Sequence, residues 1–348
     1  MIDEWQEVPE LWDAVRFEIN TSGERGLFVL TGSSNPPKGR TIHSGTGRIA
    51  RLRMSPMTLS EAGASQGEIP FDCLVTDQPL PRAENPLSLV DIASLCVRGG
   101  WPGNLDTPTD LAQELPRQYV LSLINEDIER YDDVARDPVK MDLLVRSLAR
   151  NNQTLVSKKT LLADVGQLSA PTLNSYLNVL TNLFVLASIP AWSPAVRSRA
   201  RLRTAEKVRF VDPSLALAAL RIGTAKLAAD WETFGLMFEC LVTRDVLAFA
   251  EVTGARVFHY REAANQGRRE HEVDLVIETS DDEYSLVEVK LNTAQLDDAE
   301  ASLSSVRAKL VADGAPPPSA QSITCGTVPY AYTTERATLV VPIGCLGP

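Results

Sequence analysis

The sequence contains no CxxC pair. Its five cysteines (Cys73, Cys96, Cys240, Cys325 and Cys345) are odd in number and scattered. Neither a disulfide framework nor a thiolate zinc site is therefore supported. It has no run of ~18 apolar residues, so no membrane-spanning helix is expected. The first residues, Met-Ile-Asp-Glu-Trp, are acidic and lack the basic-then-apolar order of a signal peptide. There is no internal repeat, and no low-complexity tract beyond Pro316-Pro317-Pro318, which reads as a loop. Positive charge is in deficit too: 34 Lys+Arg against 45 Asp+Glu give −11. That excludes a chain basic throughout that coats nucleic acid by bulk charge, and leaves room for a local basic patch. The expectation is a reduced, cytoplasmic protein with no membrane partner.

What is present is an ordinary globular balance, 44% hydrophobic and 23% charged over 348 residues. At about 150 residues per domain this gives two or three domains, and the pattern predicts an α/β multidomain chain. In residues 1–60 a helix is expected over Val8–Ile19 and a buried strand over Leu27–Leu30, then a Gly/Ser/Pro loop from Gly32 to Gly47. Residues 61–108 read as a long connection carrying one helix and ending in the turn signal Arg98-Gly99-Gly100-Trp101-Pro102-Gly103. Residues 109–228 are mostly helical, and 229–348 alternate helix and strand. The divisions drawn are 1–60, 61–135, 136–228 and 229–348.

The third of these suggests a winged helix. Val139–Arg150 is amphipathic. Ser157 can cap a short helix through Val165, which Gly166 ends. Ser169 can cap a second helix with Pro171 in its first turn, where a missing N–H costs little. In that helix Leu173, Tyr176, Leu177 and Leu180 form one apolar stripe, with Thr172, Ser175, Asn178 and Thr181 opposite. Strands Leu183–Ile189 and Lys207–Val211 can pair behind it. Two helices, a tight turn and a β-pair make the winged-helix arrangement. Either the polar face of 171–182 enters a DNA major groove, or the unit is structural and that face is simply solvated.

Between the two strands lies a basic ribbon: Arg197, Arg199, Arg201 and Arg203 alternate, followed by Lys207 and Arg209. In an extended segment the four arginines share one face. Such dense like charge needs counter-charge, from DNA phosphates or from acidic neighbours.

The C-terminal region carries the most specific chemistry. A helix is expected from Trp231 to Phe249, then strands Arg256–Tyr260, His271–Glu278 and Tyr284–Leu291, a helix Gln295–Ala312 and a strand Ser322–Cys325. Glu272-Val-Asp274 and Glu288-Val-Lys290 sit on the arms of a hairpin around Thr279–Glu283. If the loop is symmetric about Asp281, Asp274 faces Glu288 and Glu272 faces Lys290, all on one sheet face. Directly opposed like charges are unfavourable. A divalent cation between Asp274 and Glu288 relieves them, and hard Mg²⁺ prefers such oxygens. Lys290 is placed to orient a water or stabilise phosphate charge. The other reading is a charged face that cleaves nothing, with Asp274 and Lys290 as a diagonal ion pair.

The order αβββαβ resembles the restriction-endonuclease-like core, and Asp274 with Glu288-Val289-Lys290 resembles the PD-(D/E)xK nuclease superfamily. By that resemblance Asp274 and Glu288 hold metal, Lys290 is catalytic, and Glu239, on the preceding helix, is an accessory acid.

At the other end, Met1-Ile2-Asp3-Glu4-Trp5-Gln6 resembles a Walker B segment, in which Asp3 holds Mg²⁺ through water and Glu4 polarises the attacking water. Leu27–Leu30 with Thr31-Gly32-Ser33 resembles the next AAA-type strand and its polar sensor. Arg48 and Arg51 stand as candidate nucleotide-sensing arginines. Asp3-Glu4 can equally be an acidic helix start. Taken with Arg98–Gly103 and Asp212-Pro213-Ser214, the whole chain resembles a large prokaryotic family of AAA-type ATPases. Their C-terminal half is a domain of unknown function with a winged helix and a nuclease-like end. The family's phosphate loop, G-x-x-x-x-G-K-[ST], does not occur here. The nearest decoy fails because Lys38 precedes Gly39, so no backbone nest cradles phosphates. Asp3 and Glu4 also have only two residues ahead of them, and Ala263–Arg269 lengthen the loop before the Asp274 strand. The expectation is a truncated AAA-type ATP-binding protein that does not hydrolyse ATP as this chain, with ATP bound only in a full-length relative. Two others stand beside it: a Mg²⁺-dependent nuclease, and a non-catalytic DNA- or protein-binding regulator.

Overall fold

Helix boundaries follow the capping residues. In the computed structural model, which describes residues 1–34, 46–132, 134–194, 204–262, 271–279 and 283–348, α1 spans Glu10–Ser22 and stops at Gly23 in the left-handed region. Helix α2 (Leu89–Arg98) starts with a reciprocal capping box between Ser88 and Asp91, which satisfies two otherwise orphaned N–H donors. Helix α3 follows at Glu114–Ser122. Asp137 caps α4 (Pro138–Arg150), Ser157 caps α5 (Lys158–Val165) and Ser169 caps α6 (Ala170–Asn182). An antiparallel pair, β1 (Leu186–Ile189) and β2 (Lys207–Phe210), comes next. The expected order of three helices and a β-pair is thus present. Leu173, Tyr176 and Leu180 are buried in α6, while Asn178 and Thr181 are exposed.

Helices α7 (Pro213–Leu220) and α8 (Thr224–Ala229) lead into the long α9 (Trp231–Thr253). Strands β3 (Arg256–Glu262), β4 (His271–Glu278) and β5 (Tyr284–Lys290), helix α10 (Leu296–Ala312) and β6 (Gln321–Cys325) complete the α-β-β-β-α-β order. Two further strands, β7 (Tyr332–Thr333) and β8 (Leu339–Pro342), extend the sheet to six in the order β3-β4-β5-β6-β8-β7. Its first three strands are antiparallel, and β6 runs parallel to both β5 and β8.

One hydrophobic core runs from Leu59 through α2, the middle helices and one sheet face to Leu346. A second, including Phe258, Val273, Leu286, Leu303 and Ile323, lies between the other face and α10. The stretch expected as a connection packs onto the C-terminal half: Ile69–Pro70 pairs in parallel with Leu346–Gly347, and Asn85 bonds the carbonyls of Gly326 and Val328.

The strand expected over Leu27–Leu30 is not buried. Leu27, Phe28 and Val29 are 41%, 37% and 57% exposed. Among the described residues the bridge this stretch forms is a parallel one between Ile2 and Leu30, and a parallel pair needs cover on both faces to bury such a run.

Candidate functional site

The hairpin register is the expected one. Leu275 faces Val287 and Glu278 faces Tyr284, so the pairing is symmetric about position 281. The ladder departs from regularity at the acidic residue itself. On the other side of β4, Phe258 faces Val276 but Tyr260 faces Val273, with a register shift between them. Asp274 and Leu275 together oppose His259, a β-bulge of the kind that re-aims a side chain. The Asp274 Oδ2 takes the N–H of Val289 at 2.8 Å, so the carboxylate is stitched into the neighbouring strand.

Four of the predicted residues meet. Lys290 Nζ lies 2.5 Å from Glu288 Oε2 and 3.3 Å from Asp274 Oδ2. Glu239, from α9, joins them through a residue the sequence reading did not assign to the site. Lys207 Nζ on β2 is 2.8 Å from Glu239 Oε1, 3.9 Å from Asp274 Oδ1 and 4.0 Å from Glu272. The Lys207 side chain is 2% exposed. Glu272 does not face Lys290 as expected. The β4–β5 ladder stops at Leu275–Val287, Glu272 pairs with Arg261 on β3, and Lys290 bonds Asp274 and Glu288. In the sequence Lys207 follows a basic run, and only its alternation with Val208 and Arg209 marks a strand. Nothing local says which face turns inward.

Burial and neighbours set the protonation of the cluster. Burial pushes the Glu288 carboxyl well above its ordinary range, and the negative charge of Asp274 pushes it further. Burial acts the same way on Asp274, but Lys290, Lys207 and the Val289 N–H outweigh it and hold that group below its ordinary value. The two neighbouring carboxyls are thus displaced in opposite directions, Glu288 up and Asp274 down. Glu239 is raised to about 7 by burial, against the pull of Lys207. For Lys207 burial disfavours the charge, yet Glu239 and Asp274 win and its pKa rises. Lys290 behaves likewise beside Asp274 and Glu288. His259 is lowered to about 4, first by burial and then by the positive Lys207; its Nε2 bonds the Ala205 carbonyl.

The other predicted positions lie apart from this cluster. Asp3 accepts from the Thr31 hydroxyl, and Ser33 Oγ donates to Glu4 at 3.1 Å. The residues expected as Walker B acids and as polar sensor are thus adjacent, with Glu4 in the left-handed backbone region. Arg48 bonds Asn20 on α1, and Arg51 lies over the Trp12 ring. Arg197, Arg199, Arg201 and Arg203 fall outside the described residues, as do Lys38-Gly39 and Ala263–Arg269. The polar side of α6 borders an open groove of about 450 Å³ with Tyr131 and Arg136, and Ser175 there takes a bond from Arg136.

Two motifs far apart in sequence also meet. Gly100 N–H donates to Asp212 Oδ2 at 3.0 Å, and Trp101 Nε1 donates to Ser214 Oγ at 2.8 Å. Arg244, which the sequence reading missed, bridges Asp212 and Asp245 at 2.9 and 2.8 Å with all three side chains buried.

Three stretches of the chain match known family models. Residues 1–63 match an AAA domain, residues 90–226 a domain of unknown function (DUF8612), and residues 234–346 another domain of unknown function (DUF4143). No curated protein and no solved structure matches the chain. Among the described residues no helix is long and apolar enough to cross a membrane. The chain thus joins an AAA-type segment at its N-terminus to two successive domains of unknown function.

Proposed function

We propose that this chain is the DNA-associated part of an AAA-type ATP-binding protein, and that its C-terminal domain is a nuclease-like unit of the PD-(D/E)xK kind. The observation that carries the reading is the convergence of Asp274, Glu288, Lys290 and Glu239 on one sheet face, from three elements in α-β-β-β-α-β order. The middle helices and β1–β2 then act as a winged helix. Arg197, Arg199, Arg201 and Arg203, between the two strands, supply phosphate contacts. Asp3 and Glu4, set against Thr31 and Ser33, take the Walker B role wherever a phosphate loop is supplied. This sequence contains none, so no ATP hydrolysis is assigned to it. Five buried free cysteines suit a reducing, cytoplasmic setting.

The test is retention and cleavage of supercoiled plasmid by the full chain, with Mg²⁺ or Mn²⁺, across a salt series. The expected result is salt-sensitive retention that weakens in Arg199→Ala/Arg201→Ala, with no nicking, because the carboxylates are answered by two ammonium groups. Metal-dependent cleavage that disappears in Lys290→Ala would replace this reading with that of a nuclease using Mg²⁺ at Asp274 and Glu288. Neither retention nor cleavage would remove DNA from the account and leave a protein partner.

A further inference from the structure

The nuclease-like arrangement calls for a divalent ion beside Asp274 and Glu288, and the side chains present do not fit one. Both Asp274 oxygens already face positive or N–H groups: Oδ1 points at Lys207, and Oδ2 takes Lys290 and the Val289 N–H. Glu288 Oε2 already accepts from Lys290. Among the described residues, no three His, Cys, Asp or Glu side chains are grouped to hold a metal ion.

We propose that Lys207 is the site's own cation. Its ammonium, delivered from the middle of the chain by β2, takes the charge-balancing place of the divalent ion, and the cluster binds no such ion while Lys207 is there. This rests on the nuclease-like reading of the sheet and deepens it.

Three carboxylates surround that one ammonium: Glu239 at 2.8 Å, Asp274 at 3.9 Å and Glu272 at 4.0 Å. It is a fixture of the fold. Lys207 pairs with Ile189 across β1–β2, and Val208 bridges Thr154. Two residues earlier the Ala205 carbonyl is held by His259, which sits opposite Asp274 on β3. The backbone that presents the ammonium is thus anchored on both sides, and one anchor belongs to the same bulge that aims the carboxylate. A hard divalent ion needs about six oxygens. Here it would find its best ligands engaged and a fixed like charge some 4 Å away, where repulsion in a poorly solvated site is strong. A second positive group, Arg261, faces Glu272 at 3.9 Å.

Mn²⁺ titration of the full chain by calorimetry at pH 8 tests this, comparing wild type with Lys207→Met. Wild type is expected to bind Mn²⁺ no more tightly than about 1 mM, the weak end of oxygen-ligand sites. Lys207→Met should take up one Mn²⁺ at least about tenfold more tightly, and Asp274→Asn added to it should abolish the gain. Should Lys207→Met fail to fold by circular dichroism, Lys207→Met/Glu239→Gln removes the ammonium with its nearest carboxylate, and the same gain is expected. The inference is overturned if wild type binds Mn²⁺ in the micromolar range through Asp274, or if the folded variant gains no affinity. Loss of plasmid retention would overturn the DNA reading and leave the Mn²⁺ comparison standing, so the two failures are distinguishable.

Discussion

Removal of Asp212 is the sharpest probe of how the halves of the chain are held together. Its carboxylate is fully buried and accepts four bonds. Oδ2 takes Gly100 N–H at 3.0 Å and Arg244 Nη1 at 2.9 Å. Oδ1 takes the Ser214 N–H at 2.9 Å and its hydroxyl at 2.6 Å, capping α7. In Asp212→Ala the lost cap costs about 1 kcal/mol. Arg244 is left in the interior with Asp245 alone, and breaking one partner of a buried ion pair costs about 3–5 kcal/mol. These effects share the same atoms, so the expected total is about 4 kcal/mol rather than their sum. At roughly 2 °C per kcal/mol for a chain of this size the melting temperature falls by about 8 °C. Urea unfolding followed by tryptophan fluorescence is well placed to see it, because Trp101 bonds Ser214 and stacks on Tyr119. Asp212→Asn keeps the shape and one acceptor while losing the charge, and is expected to fall about midway. In the double variant Asp212→Ala/Arg244→Met the losses should fall short of additive by at least about 1 kcal/mol. A loss below about 1 kcal/mol in Asp212→Ala, or full additivity with Arg244→Met, would refute the reasoning.

The buried His259 sets an acid limb. Its pKa is about 4 in the fold against about 6.5 unfolded, so its contribution is complete above pH 6.5 and is lost as pH falls through 4. The total is about 3 kcal/mol by linkage, and His259→Gln should flatten that limb of a stability–pH curve; an unchanged limb counts against the assignment. Gly100→Ala is expected to destabilise by at least about 2 kcal/mol, since its Cβ would fall 2.2 Å from the Met57 carbonyl oxygen and 2.9 Å from Arg244 Nη1. Gly103→Ala, whose Cβ meets nothing nearer than 4.0 Å, serves as the control, and equal melting temperatures for the two would sink the argument.

The hairpin was legible because its evidence is local. A symmetric five-residue loop, two alternating strands and charged residues at matching offsets define the register that the structure carries. The helix starts were legible for the same reason, since Ser157, Ser169 and Asp137 act within their own first turns. Lys207 was not legible as a site residue, because its meaning depends on which side of β2 meets Asp274, more than sixty residues further on. The bulge at Asp274 is set by its pairing to β3 and leaves no mark in either strand's own pattern. Leu27–Leu30 misled in the opposite sense. Four apolar residues in a row read as a buried strand, and burial depends on neighbours that these residues do not have among the described residues.

The pairing of Ile69–Pro70 with Leu346–Gly347 has a consequence for the newborn chain. At 5–20 residues per second, roughly 15–55 s separate synthesis of the first strand from that of its mate. Throughout that interval Ile69, Phe71 and Leu74, all buried at the end, lack one wall of their pocket. The segment around Ile69–Leu74 must therefore be kept from aggregating until Leu346 and Gly347 arrive. A sequence of this architecture is expected to lean on chaperones in the cell and to refold slowly in the tube.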